Sequence, residues 1–549
     1  MAHKIAISCM PGSPGEDEWK EDPLAIPALT GWGNYRWNIT TNNDSAQFYF
    51  NQGINMYYSF HMIEAKASFA KAYSFDPDCA MAYWGLALAN GPNINYPDIS
   101  AQANNDALEA IEMARKSSRG KTGLEKKLIE VIASRYSSDS NVARETLNGN
   151  YAAAIKSVTE KYATDADGWA LYADALMVQH PWDFYEQNQQ PKAWTPELVS
   201  VLEFMLSKFP EHPAANHYYI HAVEASDQPG KALPSANRLS VMMPNVSHMV
   251  HMPSHTYIRT GNYKQGIDVN TSAINGFYTY SKDYPAVEEL AALYLSHNQH
   301  MQVACAMMQG SYQYALTTAN KTRDGIPDTY FSEQSAFNNY LQSIHMVPIV
   351  VNLRFAKWED LIMTPMADEK NLSFEHTFQL FAKGMAAANL GKMDNANEYL
   401  LLFLEKMKLP LLKEKYASFA NSAFDVLKVS EQILKGTIAK KQNNLNEAIR
   451  FYTTAVAMED TLLYNEPKDW MLPARHYLGQ ALLTSGMFAA AENVYKKDLE
   501  VNPNNPWALA GLLKSQQLLN KKPEAGKTKA AFKKASANAD ASILSSVSE

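Results

Sequence analysis

The sequence predicts an all-α solenoid of antiparallel helix pairs. Three observations point there. Small and aromatic residues recur at fixed offsets along the 549 residues, the pattern restarts after 32 residues, and 30 Tyr and 10 Trp suit helices packed through large side chains.

The first pair starts at Gly53. Phe60 follows at +7, Ala65 at +12, Phe69 at +16, Ala72 at +19 and Pro77 at +24. Gly53 and Ala65 allow two helices to approach closely, Phe69 and Ala72 fill the seam, and Pro77 stops the second helix. That is the tetratricopeptide pattern. The next pair begins at Gly85. In the middle, Gly261, Tyr263 and Gly266 form the turn after SHMVHMPSHTYIRT, which reads as one helix. Gly384, Gly391, Met393 and Ala396 begin a weaker pair, and Gly436, Leu445, Ala448, Tyr452 and Ala455 another. Gly479, Gly486, Phe488, Ala491, Tyr495 and Pro503 complete one more, and Gly511 starts the next. Repeats across this span predict a helix-turn-helix superhelix rather than isolated modules.

Four regions follow: residues 1–40, rich in Pro, Gly and acid, as an extended arm; 41–345 as an N-terminal array with a histidine-rich centre; 346–520 as a C-terminal array; and 521–549 as a flexible tail. Residues 91–125 fall outside the pattern and begin with GPNINYPD, which reads as an irregular loop before a helix at 107–116.

A net charge of −8 argues against a nucleic-acid partner or an anionic membrane surface. No run approaches 18 apolar residues, so no transmembrane segment is expected. Cys9, Cys79 and Cys305 are too scattered for a disulfide framework or a Cys-based zinc or haem motif. Ile7-Ser8-Cys9 resembles the end of a lipoprotein signal. A periplasmic or lipoprotein form is expected if the N-terminus is truncated, and a cytoplasmic one otherwise.

Chemistry concentrates in the histidines. Seven of the 14 lie between 217 and 300, where uniform scattering would put about two. His217 and His221 are i,i+4; His248, His251 and His255 form an i,i+3,i+7 stripe that Arg259 continues; His297 and His300 are i,i+3. Each set shares one helix face, so three segments present paired imidazoles that can converge on a metal. Glu224, one turn past His221, and Glu64, one turn past His61, are candidate ligands or orienting carboxylates. Nitrogen ligands without thiolates suit a transition metal, copper first, with zinc or iron as alternatives. There is no H-E-x-x-H, so the common metalloprotease reading fails. The competing reading makes the histidines packing residues, or the polar lining of a peptide groove.

The segment 458–479 is the second constellation, more polar and aromatic than helix packing requires. Pro467 and Pro473 interrupt it, giving either an inter-repeat loop or a cavity wall with Glu466 and Arg475 as substrate contacts. In HPWDFYE, Trp182 and Tyr185 read as pocket lining or core.

QGINMYYSFHMIEAKASFAKAYSFDPDCAMAYWGLALANGPNIN, NHYYIHAVEAS, HMVHMPSHTYIRTGNY and YNEPKDWMLPARHYLGQALL together resemble a bacterial family of tetratricopeptide-repeat proteins, over roughly residues 37 to 520. Members are mostly described only as repeat proteins, often exported. The family's hallmark segments match here at His61, Glu64, His217, His221, His248, His251, His255, His297, His300, Glu466 and Arg475. The resulting expectation is a histidine-rich metal centre inside the solenoid. It would serve a metal-dependent oxidoreductase or hydrolase acting on a small molecule, with Glu466, Arg475 and Arg259 contacting the substrate. The alternatives are a non-catalytic scaffold binding peptide or protein partners in its groove, and a metal carrier with an exposed site.

Overall fold

The computed structural model describes residues 23–118, 123–285, 288–418 and 420–547. The described residues are helices and loops, with no strand among them beyond one isolated bridge, Tyr185 to Pro191. None of the described helices is long and apolar enough to cross a membrane. The chain divides into two compact units. The first holds the residues up to Thr256 together with Thr271–Tyr294, and the second Tyr257–Asn270 with the residues from Leu295 onward.

In the first unit, helices Asp44–Tyr58 and Met62–Phe75 make the first hairpin. The Asn43 side chain caps its start by accepting from the amides of Ser45 and Ala46. Phe60, at φ +60°, makes the tight turn. The Phe69 ring lies between the first helices of two successive pairs: a Cβ on Gly53 would fall 2.8 Å from it, and one on Gly85 2.5 Å. Both glycines are therefore steric requirements of the repeat. Residues 26–39 run beside this hairpin, with Ile26, Leu29, Trp32 and Trp37 buried. The Leu29 and Trp37 amides donate to the Gln52 and Asn51 side chains, each at 2.9 Å. Residues 1–22 of the expected arm, Cys9 included, lie outside the described residues. The loop after Asn90 leads into helix Ala101–Ser117.

Buried charge ties distant elements of this unit together. Arg135 lies 3.4 Å from Asp174, which also accepts from the Tyr57 hydroxyl at 2.8 Å, and all three side chains are buried. Asp167 accepts from the hydroxyls of Tyr35 and Tyr58 at 2.8 and 2.7 Å. Every residue of helix Pro213–Val223 is buried, its polar His and Asn included, which makes it the central element here.

Among its described residues the second unit includes the hairpins Ser373–Asn389 with Met393–Lys406, Ala423–Lys441 with Leu445–Glu459, Ala474–Thr484 with Phe488–Val501, and Pro506–Leu518 with Lys522–Ala535. The same steric motif recurs. A Cβ on Gly436 would lie 2.5 Å from the Tyr452 ring, and Cβ atoms on Gly479 and Gly511 would lie 2.4 and 2.2 Å from the Tyr495 ring. The segment read from sequence as a tail contains the helix Lys522–Ala535, and beyond it Ile543 is buried and the Ser546 hydroxyl donates to the His476 carbonyl at 2.8 Å.

Gly511→Ala is expected to destabilise this unit by about 1–3 kcal/mol, because the Tyr495 ring has to shift. Gly526→Ala, in a helix with nothing within 4 Å of its Cβ, is expected to stabilise it by about 0.5–1 kcal/mol. Urea midpoints of the two variants check both; equal midpoints would mean that Tyr495 does not set the helix spacing.

Candidate metal centre

Helix Pro213–Val223 supplies the first two imidazoles. Pro213 sits at its first turn, where a missing N–H is harmless, and one face carries His217 and His221. The expected single helix from Ser247 to Thr260 is in fact two, Ser247–His251 and Pro253–Arg259, because Pro253 cannot donate to the preceding turn. His248 and His251 belong to the first piece and His255 to the second. All five histidines are at most 1 % exposed.

Their nitrogens converge. His217 Nε2 lies 3.1 Å from His221 Nε2 and 2.9 Å from His248 Nε2. His217 Nδ1 donates to the Tyr58 carbonyl at 2.7 Å, and His221 Nδ1 donates to Glu224 Oε1 at 3.0 Å. A carbonyl and an ionised carboxylate only accept, so each neutral ring keeps its hydrogen on Nδ1 and leaves Nε2 bare. Two bare nitrogens 3.1 Å apart repel unless a proton or a cation lies between them. The proton is disfavoured: burial first, then the neighbouring His221, hold His217 well below the usual histidine range. Burial, with His217 and His221 beside it, does the same to His248. The arrangement could hold a metal cation. His217, His221 and His248 form one set able to hold it, and His221, Glu224 and His255 form another.

Around these rings, Phe60 packs 4.5 Å from His217 between centroids, and Trp182 meets His221 edge-on at 5.1 Å. Trp182 therefore lines the cluster. Tyr185 instead donates its hydroxyl to the Ala222 carbonyl at 2.8 Å. His61 stands nearby: its ring stacks on Tyr294 at 5.8 Å, and Tyr294 is 5.8 Å from His248. His61 Nδ1 bonds Glu64 Oε1 at 2.8 Å, and the Tyr280 hydroxyl donates to the same carboxylate. Burial alone would raise Glu64, but His61 and these bonds hold it below the usual carboxylate range. His61 Nε2 has no hydrogen-bond partner among the described residues. Nothing in the sequence pattern marks Tyr58, Phe60, Tyr280 or Tyr294 as neighbours of the cluster.

The remaining predicted residues belong to the second unit. His297 and His300 are buried on helix Glu288–Gln309. Burial pushes His300 down to about 4, and it lines a cavity with Tyr340, Glu466 and Trp470. Arg259 and Glu466 line a neighbouring cleft with Tyr263, Tyr464 and Lys468, where the Arg259 guanidinium sits over the Tyr464 ring at 5.5 Å. Burial, with Arg259 nearby, pushes Lys468 down to about 8. Arg475 directs both terminal nitrogens at Asp460, at 2.8 and 2.6 Å, so its fork is already engaged. One buried network went unsuspected: Arg354 donates to His476 Nδ1 at 3.0 Å, and His476 Nε2 donates to Asp498 at 3.0 Å. Asn505 also donates to Asp498, and the Arg354 guanidinium lies 3.9 Å above the Trp507 ring. These bonds join residues of several helices in the second unit.

No family model matches the chain, and no curated protein matches it. Solved structures do. A human IFIT1 dimer with m7Gppp-AAAA is 11% identical over 91% of this chain and 92% of that one, at a TM-score of 0.28. Yeast Tom70 is 12% identical over 89% and 92%, at 0.33. The TPR domain of P58(IPK) is 12% identical over 87% and 99%, at 0.20. Likeness at this level says nothing of function. The glycine–aromatic seams at Phe69, Tyr452 and Tyr495 make the chain an all-α protein of tetratricopeptide type.

Proposed function

We propose that the first unit holds a transition-metal ion on Nε2 of His217, His221 and His248, and that the protein is a metal-dependent enzyme acting on a small molecule. One observation carries this reading: two imidazoles, each committed to donating at Nδ1, aim bare Nε2 atoms at each other 3.1 Å apart. Three nitrogen ligands leave a coordination position open, which is how a catalytic site differs from a closed structural one. The anchors on Nδ1, the Tyr58 carbonyl and Glu224, are the outer-shell partners that fix ligand orientation and tautomer. The donor set favours copper, with zinc or iron as alternatives. A bound ion would supply redox chemistry or an activated water, as an oxidoreductase or a hydrolase uses it.

Elemental analysis by ICP-MS tests this, on protein purified without chelators and again after copper, zinc and iron loading. A stoichiometric metal is expected, lost in His217→Ala and retained in a surface control such as Lys264→Ala. Protein with no metal above background under any loading would overturn the reading. The second reading, a non-catalytic scaffold for a peptide or protein partner, is favoured by the tetratricopeptide hairpins themselves. It requires metal-free protein and tolerance of single histidine changes.

A further inference from the structure

Glu224 follows helix Pro213–Val223 directly and is 2 % exposed. Its two oxygens do the same work for two different imidazoles. Oε1 lies 3.0 Å from His221 Nδ1, and Oε2 lies 2.7 Å from His255 Nδ1. An ionised carboxylate can only accept, so both rings donate at Nδ1 and both present a bare Nε2. The two Nε2 atoms then serve different clusters. That of His221 joins His217 and His248, whereas that of His255 lies 2.8 Å from His251 Nε2. The clusters are neighbours: the His221 and His255 ring centroids are 6.1 Å apart, and those of His248 and His251 are 6.4 Å apart.

We propose a second metal site on His251 and His255, joined to the first through Glu224. This rests on the reading of the three-histidine site above. The ligand class is again a divalent first-row transition ion, since imidazole is the only donor type the pair offers. A second ion beside the first suits a substrate that binds through two ions. The shared carboxylate couples them. A Glu224→Gln side chain accepts through one atom and donates through the other, so one of the two rings must move its hydrogen to Nε2 and cease to be a ligand. The rival arrangement is a neutral His251 that simply donates its Nε2–H to His255 and holds no ion.

Metal titration separates the two. Wild-type protein is loaded with excess cobalt(II) or copper(II), desalted and analysed by ICP-MS, with the cobalt d–d absorption followed during titration. Two ions per chain are expected, with a break at two equivalents. His251→Gln should fall from two ions to one, His217→Ala should lose the first-site ion, and Glu224→Gln should hold fewer than two; far-UV circular dichroism checks folding of each. One ion in wild type, with a break at one equivalent, overturns the second site and leaves the first standing. Two ions in both wild type and a folded His251→Gln place the second ion elsewhere and also overturn it. No ion in any sample removes the three-histidine site as well. The wild-type titration decides the stoichiometry even where a variant fails to fold.

Discussion

Chelation is expected to destabilise the metal-loaded protein by about 3–4 kcal/mol. An ion that binds only the folded state stabilises it by RT ln(1 + [L]/Kd), which is about 2.7 kcal/mol at a hundredfold excess over Kd and about 4.1 kcal/mol at a thousandfold excess. For a unit of this size each kcal/mol moves the unfolding midpoint by about 2–4 °C, so the shift falls in the range of roughly 6–16 °C. The direction follows from the cluster. Once the ion is gone, His217 and His221 face each other at 3.1 Å with lone pairs on both sides, and burial denies His217 the proton that would relieve them. Their Nδ1 hydrogens are anchored to the Tyr58 carbonyl and Glu224, so neither ring can switch tautomer without breaking a buried bond. Differential scanning calorimetry before and after EDTA, and again after adding back copper or zinc, measures the effect. Equal midpoints in all three samples would remove the metal reading and leave the scaffold.

The helix hairpins were legible in the sequence because their cause is local. A glycine is required wherever an aromatic ring of an adjacent helix occupies the place of its Cβ, and Gly53, Gly85, Gly479 and Gly511 mark those places at fixed offsets from Phe69 and Tyr495. The histidine faces were legible for the same reason, since i,i+4 spacing needs only a helix. What the spacing does not contain is which faces meet. His217 finds its anchor at Tyr58, 159 residues away, and the turn that presents that carbonyl depends on the left-handed Phe60. The Pro253 break, which starts a new helix before His255, follows from proline chemistry, although the stripe reads as continuous. Arg475 shows the opposite failure. A polar loop resembles a cavity wall until Asp460, 15 residues earlier, takes both guanidinium nitrogens. The assignment of His297 and His300 to the second unit leaves no trace in composition, because helical repeats run through the division without a linker.

Acid should unfold the metal-free protein well before carboxylate protonation matters. His217 and His248 are held neutral in the folded state, far below the value near 6.5 that they take when unfolded. Above about pH 6.5 both states carry neutral rings and stability is insensitive to these groups. Below it the unfolded chain binds protons that the native cluster refuses, so stability falls with pH until the folded values are reached. Each histidine contributes about 1.4 kcal/mol per pH unit, and the pair about 3 kcal/mol per unit. The loss deepens as pH falls from 6.5 toward the folded values, on a total stability that is small for a typical domain. His300, pushed down to about 4 by burial, adds a loss of the same sign in the second unit. Urea unfolding of chelated protein followed by circular dichroism at pH 7.5, 6.5, 5.5 and 5.0 measures the slope. His248→Gln should lessen the slope, since it deletes one ring that burial holds neutral while keeping a polar side chain. A urea midpoint that stays level down to pH 5 would mean that the native cluster accepts protons between its Nε2 atoms. A proton would then hold the imidazoles together, and no ion would be needed to explain why they converge.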